Sequence, residues 1–129
     1  MTETLPADVV QVLRDLNPWW ETPVIVRPRP PEYRRPLVIE RAKRLRSGKG
    51  LIEVVRGPRQ VGKTTGIYQI IEDLLAHGAR GSDLLLIRFD LEILREEAAS
   101  LRRVMKWFVE SIRRRPLEGG VPAVVFLDE

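Results

Sequence analysis

The sequence predicts an α/β fold, in which helices flank an incomplete parallel sheet of about three strands. Two observations carry this prediction. From Leu51 onward, short apolar runs alternate with segments whose apolar residues recur at helical spacing. A glycine-containing loop, Gly57 to Thr65, lies between the first such run and the first such helix. We therefore expect a helical and Pro/Arg-rich N-terminal arm over residues 1–50 and a core over residues 51–129.

Composition limits the classes of protein and site to be considered. The 129 residues suffice for one domain with a hydrophobic core, and they carry 22 basic and 18 acidic side chains, a net charge of +4. This balance suits phosphate or nucleic acid, but a solvated surface explains it too and is the preferred interpretation. The absence of cysteine excludes disulfides and thiolate metal sites.

The sequence also bears on location in the cell. No apolar run approaches the ~20 residues of a membrane span. The start, Met1 to Pro6, lacks the basic and apolar regions of a signal peptide. We therefore expect a cytoplasmic protein without a membrane span. The single histidine, His77, falls at the predicted end of a helix, where it favours the helix dipole, and we assign it no catalytic role.

The arm begins with a predicted helix over Leu5 to Leu16, which Asn17-Pro18 ends. Trp19 and Trp20 follow outside any periodic segment. Such a pair usually anchors a terminal arm to a core, and stacking on a ligand is the alternative. Pro23 to Pro36 interleaves prolines with arginines and predicts an extended segment. A stiff solvated linker is preferred there over contact with a nucleotide base or an acidic partner.

The core begins after a second predicted helix, Leu37 to Leu45. The β-branched apolar run Leu51 to Arg56 predicts the first strand. The helix after the glycine loop ends at Gly78, which we expect as its left-handed cap. Its predicted buried face consists of Ile67, Ile70, Ile71, Leu74 and Leu75.

The remaining elements alternate in the same way. Asp83 to Asp90 predicts a strand buried on both faces. Asp90 at its end either lines a ligand site or, as we prefer, caps the next helix. Ala98 to Arg115 predicts a helix, and its three final arginines are explained by the helix dipole. The final segment, Val121 to Glu129, predicts the last strand.

The glycine loop has the chemistry of a phosphate-binding loop. It fits the Walker A pattern G-x-x-x-x-G-K-[ST], and a glycine turn with a surface lysine is the alternative. Gly57 and Gly62 let the main chain approach a ligand, so that backbone N–H groups form an anion nest at a helix N-terminus. We expect Lys63 to reach the terminal phosphates of a nucleotide and Thr64 to ligate Mg²⁺. The candidate nucleotide-binding residues are Gly57, Pro58, Arg59, Gln60, Val61, Gly62, Lys63, Thr64 and Thr65.

The last strand ends in Asp128-Glu129, as a Walker B strand does. Asp128 is predicted to hold Mg²⁺ through water, and Glu129 to polarise the attacking water as a general base. An acidic strand end is a weak signal alone, but one βα unit after a phosphate loop it is a strong one. The candidate catalytic residues are therefore Lys63 and Glu129, the candidate metal ligands are Thr64 and Asp128, and the predicted ligand is a nucleotide with Mg²⁺.

Taken together, these segments resemble the prokaryotic AAA-type ATPases of the AAA+ superfamily, a group of P-loop NTPases. The resemblance covers nearly the whole chain and implies ATP binding at the loop, a Walker B pair, ATP hydrolysis and self-association. Arg34 and Arg35 fall where the family's chain runs near the adenine, but we carry over no role for them. The segments that resemble the family are Leu16 to Glu21, Gly57 to Thr65, Ile67 to Ile71, Arg88 to Glu92 and Phe126 to Glu129.

The resemblance also implies parts that the chain lacks. Family members continue beyond Walker B with a sensor strand, a helical lid, an arginine finger and usually a C-terminal domain, whereas this chain stops at Glu129. We therefore expect a fragment whose partner is the missing C-terminal part, marginally folded and unable to turn over ATP alone. In the family's sheet order, 5-1-4-3-2, a missing strand separates Leu51–Arg56 from Val124–Asp128. The alternative is that the sheet closes up and pairs these two strands directly.

Two alternatives stay open: a small-molecule kinase or GTPase, and a non-enzymatic remnant. A small-molecule kinase does not need Asp-Glu at the end of the third strand, and a GTPase would carry Asp-x-x-Gly there and Asn-Lys-x-Asp later, neither of which is present. A non-enzymatic remnant would bind nucleotide, nucleic acid or a partner through the arginine-rich arm. Nucleic acid has no further support in the sequence.

Overall fold

A computed structural model of the protein describes residues 5–22, 32–56, 63–88 and 101–128, and it has the predicted α/β fold. The helices and strands follow one another in the predicted order, with a three-stranded parallel sheet between two layers of helices. The elements are α1 (Ala7–Leu16), α2 (Pro36–Arg46), β1 (Ile52–Arg56), α3 (Lys63–Ala76), β2 (Leu84–Arg88), α4 (Leu101–Trp107) and β3 (Ala123–Asp128).

The strand order is β1-β3-β2, so β3 is the central strand. Val125 of β3 lies opposite Val54 of β1 on one side and opposite Leu85 of β2 on the other. The expected gap between β1 and β3 is therefore wrong, and the closed sheet is the arrangement present. Direct pairing gives the N–H and C=O groups of β1 a hydrogen-bonded neighbour, which buried backbone groups require.

The central strand β3 is covered on both faces, whereas Ile52 and Val54 of β1 are exposed. Successive side chains of a strand point to opposite faces. Val124 and Phe126 pack on the side of α2 and α3, whereas Val125 and Leu127 pack on the side of α1 and α4. All six residues of β3 are buried, as expected for a parallel strand between two helical layers. The predicted apolar face of α3 is confirmed, with Ile67, Ile70, Ile71 and Leu74 buried and Leu75 packed beside them.

The segment after α1 binds the outer edge of β2. The side-chain amide of Asn17 donates to the carbonyl of Leu86 (Nδ2–O 3.1 Å) and accepts from its N–H (2.7 Å). Asn17 thus pairs with β2 as the peptide group of a neighbouring strand would. The indole Nε1 atoms of Trp19 and Trp20 both donate to the carbonyl of Leu84, at 3.1 and 2.7 Å. These side chains occupy backbone groups that a free sheet edge would expose.

The two tryptophans anchor the arm to the core, as predicted. Trp19 is completely buried, which excludes a role in ligand stacking. Its carbonyl oxygen would lie 1.8 Å from a Cβ atom at Gly81, so only glycine allows the chain before β2 to approach this closely. Trp20 packs against the ring of Trp107, with centroids 5.8 Å apart. The arm is therefore held by apolar packing as well as by hydrogen bonds.

The helix expected over Ala98 to Arg115 has a different end. Within the described residues it begins as α4 at Leu101, and a π-helical turn, Phe108–Arg113, continues it. Arg114 then takes a left-handed conformation with φ 56° and ends the helix. Arg113, the last residue of this π-helical turn, is buried.

Arg113 is the centre of a buried polar cluster. Its Nε donates to Oδ1 of Asp83 at 2.9 Å, and its Nη atoms donate to the carbonyls of Pro116 and Val121. Arg115 binds the other oxygen of Asp83 at 2.5 Å. The explanation of these arginines by the helix dipole alone is therefore wrong, since two of them compensate a buried carboxylate.

Candidate functional site

The carboxyl ends of the three strands meet at one edge of the sheet. Arg56, the last residue of β1, lies opposite Leu127 of β3. The chain therefore leaves β1 beside Asp128, the last residue of β3, at the separation of about 4.8 Å that neighbouring strands have. Open α/β sheets bind their ligands at this edge.

The helix that follows the glycine loop begins at Lys63, as the pattern predicts. Since the chain leaves β1 at the carboxyl edge and continues into α3, the amino end of α3 belongs to the same edge as Asp128. Helix N-termini favour anions through their free N–H groups and the helix dipole. Thr65 is half-buried in the first turn. Residues 57–62 and the side chains of Lys63 and Thr64 lie outside the described part, so their roles stay predictions.

Asp128 is the one predicted acid of the site that the structure describes, and Glu129 lies outside the described residues. Asp128 is buried, with 4% of its surface exposed. Its register partner on β2 is Arg88, whose Nε lies 3.8 Å from Oδ2 of Asp128. A buried carboxylate requires such an opposite charge nearby. Any cation that binds Asp128 shares this carboxylate with Arg88.

Arg88 is not among the predicted site residues. It belongs to a segment that resembles the AAA-type ATPases, but the strand-end acid considered there is Asp90, which lies outside the described residues. The signal that identifies Arg88 is register: it ends β2 where Asp128 ends β3. That register cannot be deduced from either strand alone.

The donor groups fit a magnesium ion better than a metal that needs a complete protein cage. Among the described residues, no group of three or more His, Cys, Asp or Glu side chains is placed to hold a metal. Mg²⁺ is usually bound by one or two carboxylates together with the phosphates of a substrate. A buried aspartate at the end of a strand, as Asp128 is here, is the kind of carboxylate that such a site uses.

Other residues considered in the sequence have structural contacts. Arg34 donates to the carbonyl of Gln69 at 2.7 Å and to the carboxylate of Glu72 at 2.5 Å, which ties the segment before α2 to α3. His77 lies exposed at the end of α3, with Nδ1 2.8 Å from the carbonyl of Asp73. Gly78 has φ 94°, which agrees with its predicted role as a left-handed cap.

A three-stranded parallel sheet with helices on both faces, and a helix directly after the glycine loop, defines a partial P-loop NTPase fold. The family described as AAA domain matches residues 49–129, more than half of the chain. The chain belongs to this family and contains an AAA-type, ATPase-like nucleotide-binding domain. No curated protein and no solved structure matches it. No helix in the described ranges is long and apolar enough to cross a membrane.

Proposed function

We propose that the chain binds Mg²⁺·ATP at the carboxyl edge of its sheet, and that members of its family hydrolyse ATP with the corresponding residues. One observation carries the proposal. The buried carboxylate of Asp128 ends the strand next to β1, from which the chain continues through the glycine loop into α3. The proposed metal-binding acid and the proposed phosphate-binding helix start thus share one edge of the sheet.

The loop residues Gly57 to Thr65 have the binding role. We expect their backbone N–H groups, together with the amino end of α3, to donate to phosphate oxygens. Lys63 adds a full positive charge near the terminal phosphates. The apolar face of α3, from Ile67 onward, is buried against the sheet, which fixes the direction of the helix.

The acids and the hydroxyl at this edge have separate roles. Asp128 and the hydroxyl of Thr64 would hold Mg²⁺, Asp128 through water. When bound, the ion neutralises charge on the phosphates and orients them. Glu129 would accept the proton of the attacking water, which is the task of a general base. Self-association, which is frequent in the family, stays an expectation for this chain.

Lys63→Ala is expected to weaken Mg²⁺·ATP binding by roughly 1.5–3 kcal/mol, the value of a hydrogen bond to a charged group. That corresponds to about 10- to 150-fold in Kd. Calorimetric titration of this chain measures the difference. Lys49→Ala removes the same charge from an exposed position at the amino edge of the sheet and serves as the control. Equal affinity of Lys63→Ala and its parent would refute the assignment, and equal binding of GTP would favour the GTPase alternative.

Asp128→Asn and Glu129→Gln are expected to have different effects in a member of the family that carries the corresponding residues. The first should lower affinity for ATP only when Mg²⁺ is present, because it removes a metal-binding charge. The second should preserve binding and slow hydrolysis by about 10²- to 10⁴-fold, the usual contribution of a general base. Affinity and turnover are measured on both variants. Hydrolysis at the parent rate in Glu129→Gln would show that this residue is not the base.

A further inference from the structure

A cavity of about 320 Å³ lies at the amino edge of the sheet, opposite the proposed ATP site. It is enclosed by the ends of α2 and α3 and by the starts of β2 and β3. Its volume falls at the lower end of the range for small-molecule sites, about 300–1,000 Å³. Its apolar lining consists of Leu45, Leu74, Ala79, Leu84, Val121, Pro122 and Val124.

Basic side chains outnumber acidic ones in the polar lining of this amino-edge cavity. Among the described residues, four basic side chains line it, whereas Asp83 is the one acidic lining residue. Asp83 is already bound on both oxygens by arginines, so it does not oppose a further negative charge. Arg46 is bound to Asp73, outside the lining. The basic residues are Arg46, His77, Arg80 and Arg115.

Two of these arginines have unused hydrogen-bond donors. Arg115 binds Asp83 through Nη2, but its Nε is buried without a hydrogen-bond partner in the described part of the chain. Leaving a buried donor unpaired costs about 1–3 kcal/mol. Arg80 is exposed and makes no side-chain hydrogen bond or ion pair to any residue that the structure describes. Arg80 therefore offers free donors to an acceptor in the cavity, which the side chain of Arg115 also lines.

We propose that the amino-edge cavity binds a small organic anion, a carboxylate or a phosphate carried on an apolar body. The anionic group binds Arg80 and Arg115, and the apolar body packs against the lining of leucines and valines. This site is separate from the ATP site, because the 14 residues of α3 span about 20 Å between them. The proposal therefore does not depend on nucleotide binding.

The single histidine of the chain provides a direct test, because His77 lines the cavity and gives one set of imidazole NMR signals. Phenyl phosphate and benzoate are titrated into the protein, with inorganic phosphate as the ligand that lacks an apolar body. We expect a saturable shift of the His77 signals with at least one of the two aromatic anions. Inorganic phosphate should bind about tenfold or more weakly, because it buries no apolar surface.

Three variants locate the binding. Arg80→Gln should weaken binding of the aromatic anion about tenfold or more, the loss expected for a charged hydrogen bond. Arg102→Gln removes an equal charge from an exposed position on α4 and should leave the affinity unchanged, as should Lys63→Ala at the ATP site. The absence of a saturable shift up to about 10 mM, far above the range of specific sites, would overturn the proposal. Unchanged binding in Arg80→Gln, or its loss in Lys63→Ala, would overturn it equally.

Discussion

Replacing Trp19 by alanine is expected to lower the free energy of unfolding by about 3–5 kcal/mol, the usual cost of removing a buried aromatic side chain. Trp19 is completely buried, and its indole binds the carbonyl of Leu84. The substitution would open a cavity beside β2 and remove one of the hydrogen bonds at the edge of this strand. Urea denaturation, monitored by circular dichroism, measures this loss of stability.

Tyr33→Ala is the matched control for Trp19→Ala. Tyr33 is also aromatic, but 77% of its surface is exposed. Its removal should change stability by no more than about 0.5 kcal/mol. A loss below about 1 kcal/mol for Trp19→Ala would mean that the arm does not pack against β2 as described.

Arg113→Met is expected to destabilise the fold by about 3–5 kcal/mol, because it removes one partner of a buried ion pair and leaves the other charge buried. The side chain of Arg113 has no exposed surface, and it binds Asp83 and two carbonyl groups. Arg115 still contacts Asp83 in this variant, but the two carbonyls lose their donor. The same denaturation experiment gives the magnitude.

Arg102→Met controls for the loss of an arginine, because Arg102 is exposed on α4. It should change the free energy of unfolding by no more than about 0.5 kcal/mol. The stability lost in Arg113→Met should also depend little on salt concentration, since a buried ion pair is screened much less than a surface pair. Similar, small losses in Arg113→Met and Arg102→Met would contradict the buried cluster.

Much of the fold is predictable from the sequence because its signals are local. The spacing of Ile67, Ile70, Ile71 and Leu74 indicates a helix with one buried face, and the structure has it. The apolar run before Asp128 indicates a strand covered on both sides, and β3 is such a strand. The division into an arm over residues 1–50 and a core over residues 51–129 stays a prediction.

The choice of neighbouring strands is not local, and here the prediction failed in part. The family resemblance places a strand between β1 and β3, but the two pair directly from Ile52 opposite Ala123 to Arg56 opposite Leu127. Each strand needs only a partner for its backbone groups, and any strand of suitable length and apolar character satisfies that need. The apolar patterns of β1 and β3 therefore do not identify their neighbours.

Two side chains have long-range contacts that were not predicted, because a local role already explained each of them. Asn17 before Pro18 is explained as a helix stop, yet its amide pairs with the backbone of Leu86. Arg113 is explained by the helix dipole, yet it holds the buried carboxylate of Asp83. In both cases the partner is distant in sequence and is brought close only by the folded sheet.

The candidate site, like the fold, is predictable from the sequence only in part. The loop pattern correctly predicts that a helix begins at Lys63, and the acidic strand end correctly places Asp128 at the end of β3. Arg88 beside Asp128 could not be predicted, because it depends on the register between β2 and β3. The roles of the loop residues and of Glu129 stay predictions that rest on the sequence motifs.

The most direct test of the ATP site is to locate the bound metal. Mn²⁺ accepts the same oxygen ligands as Mg²⁺, and it broadens NMR signals strongly at short range. With Mn²⁺·ATP bound, we expect loss of the backbone amide signals of Thr65 and Gly66 at the start of α3 and of Leu127 and Asp128 at the end of β3. The signal of Gly78, about 20 Å away beyond the other end of α3, should stay sharp. Broadening centred near Gly78, or no localised broadening at saturating Mn²⁺·ATP, would contradict the placement of the site.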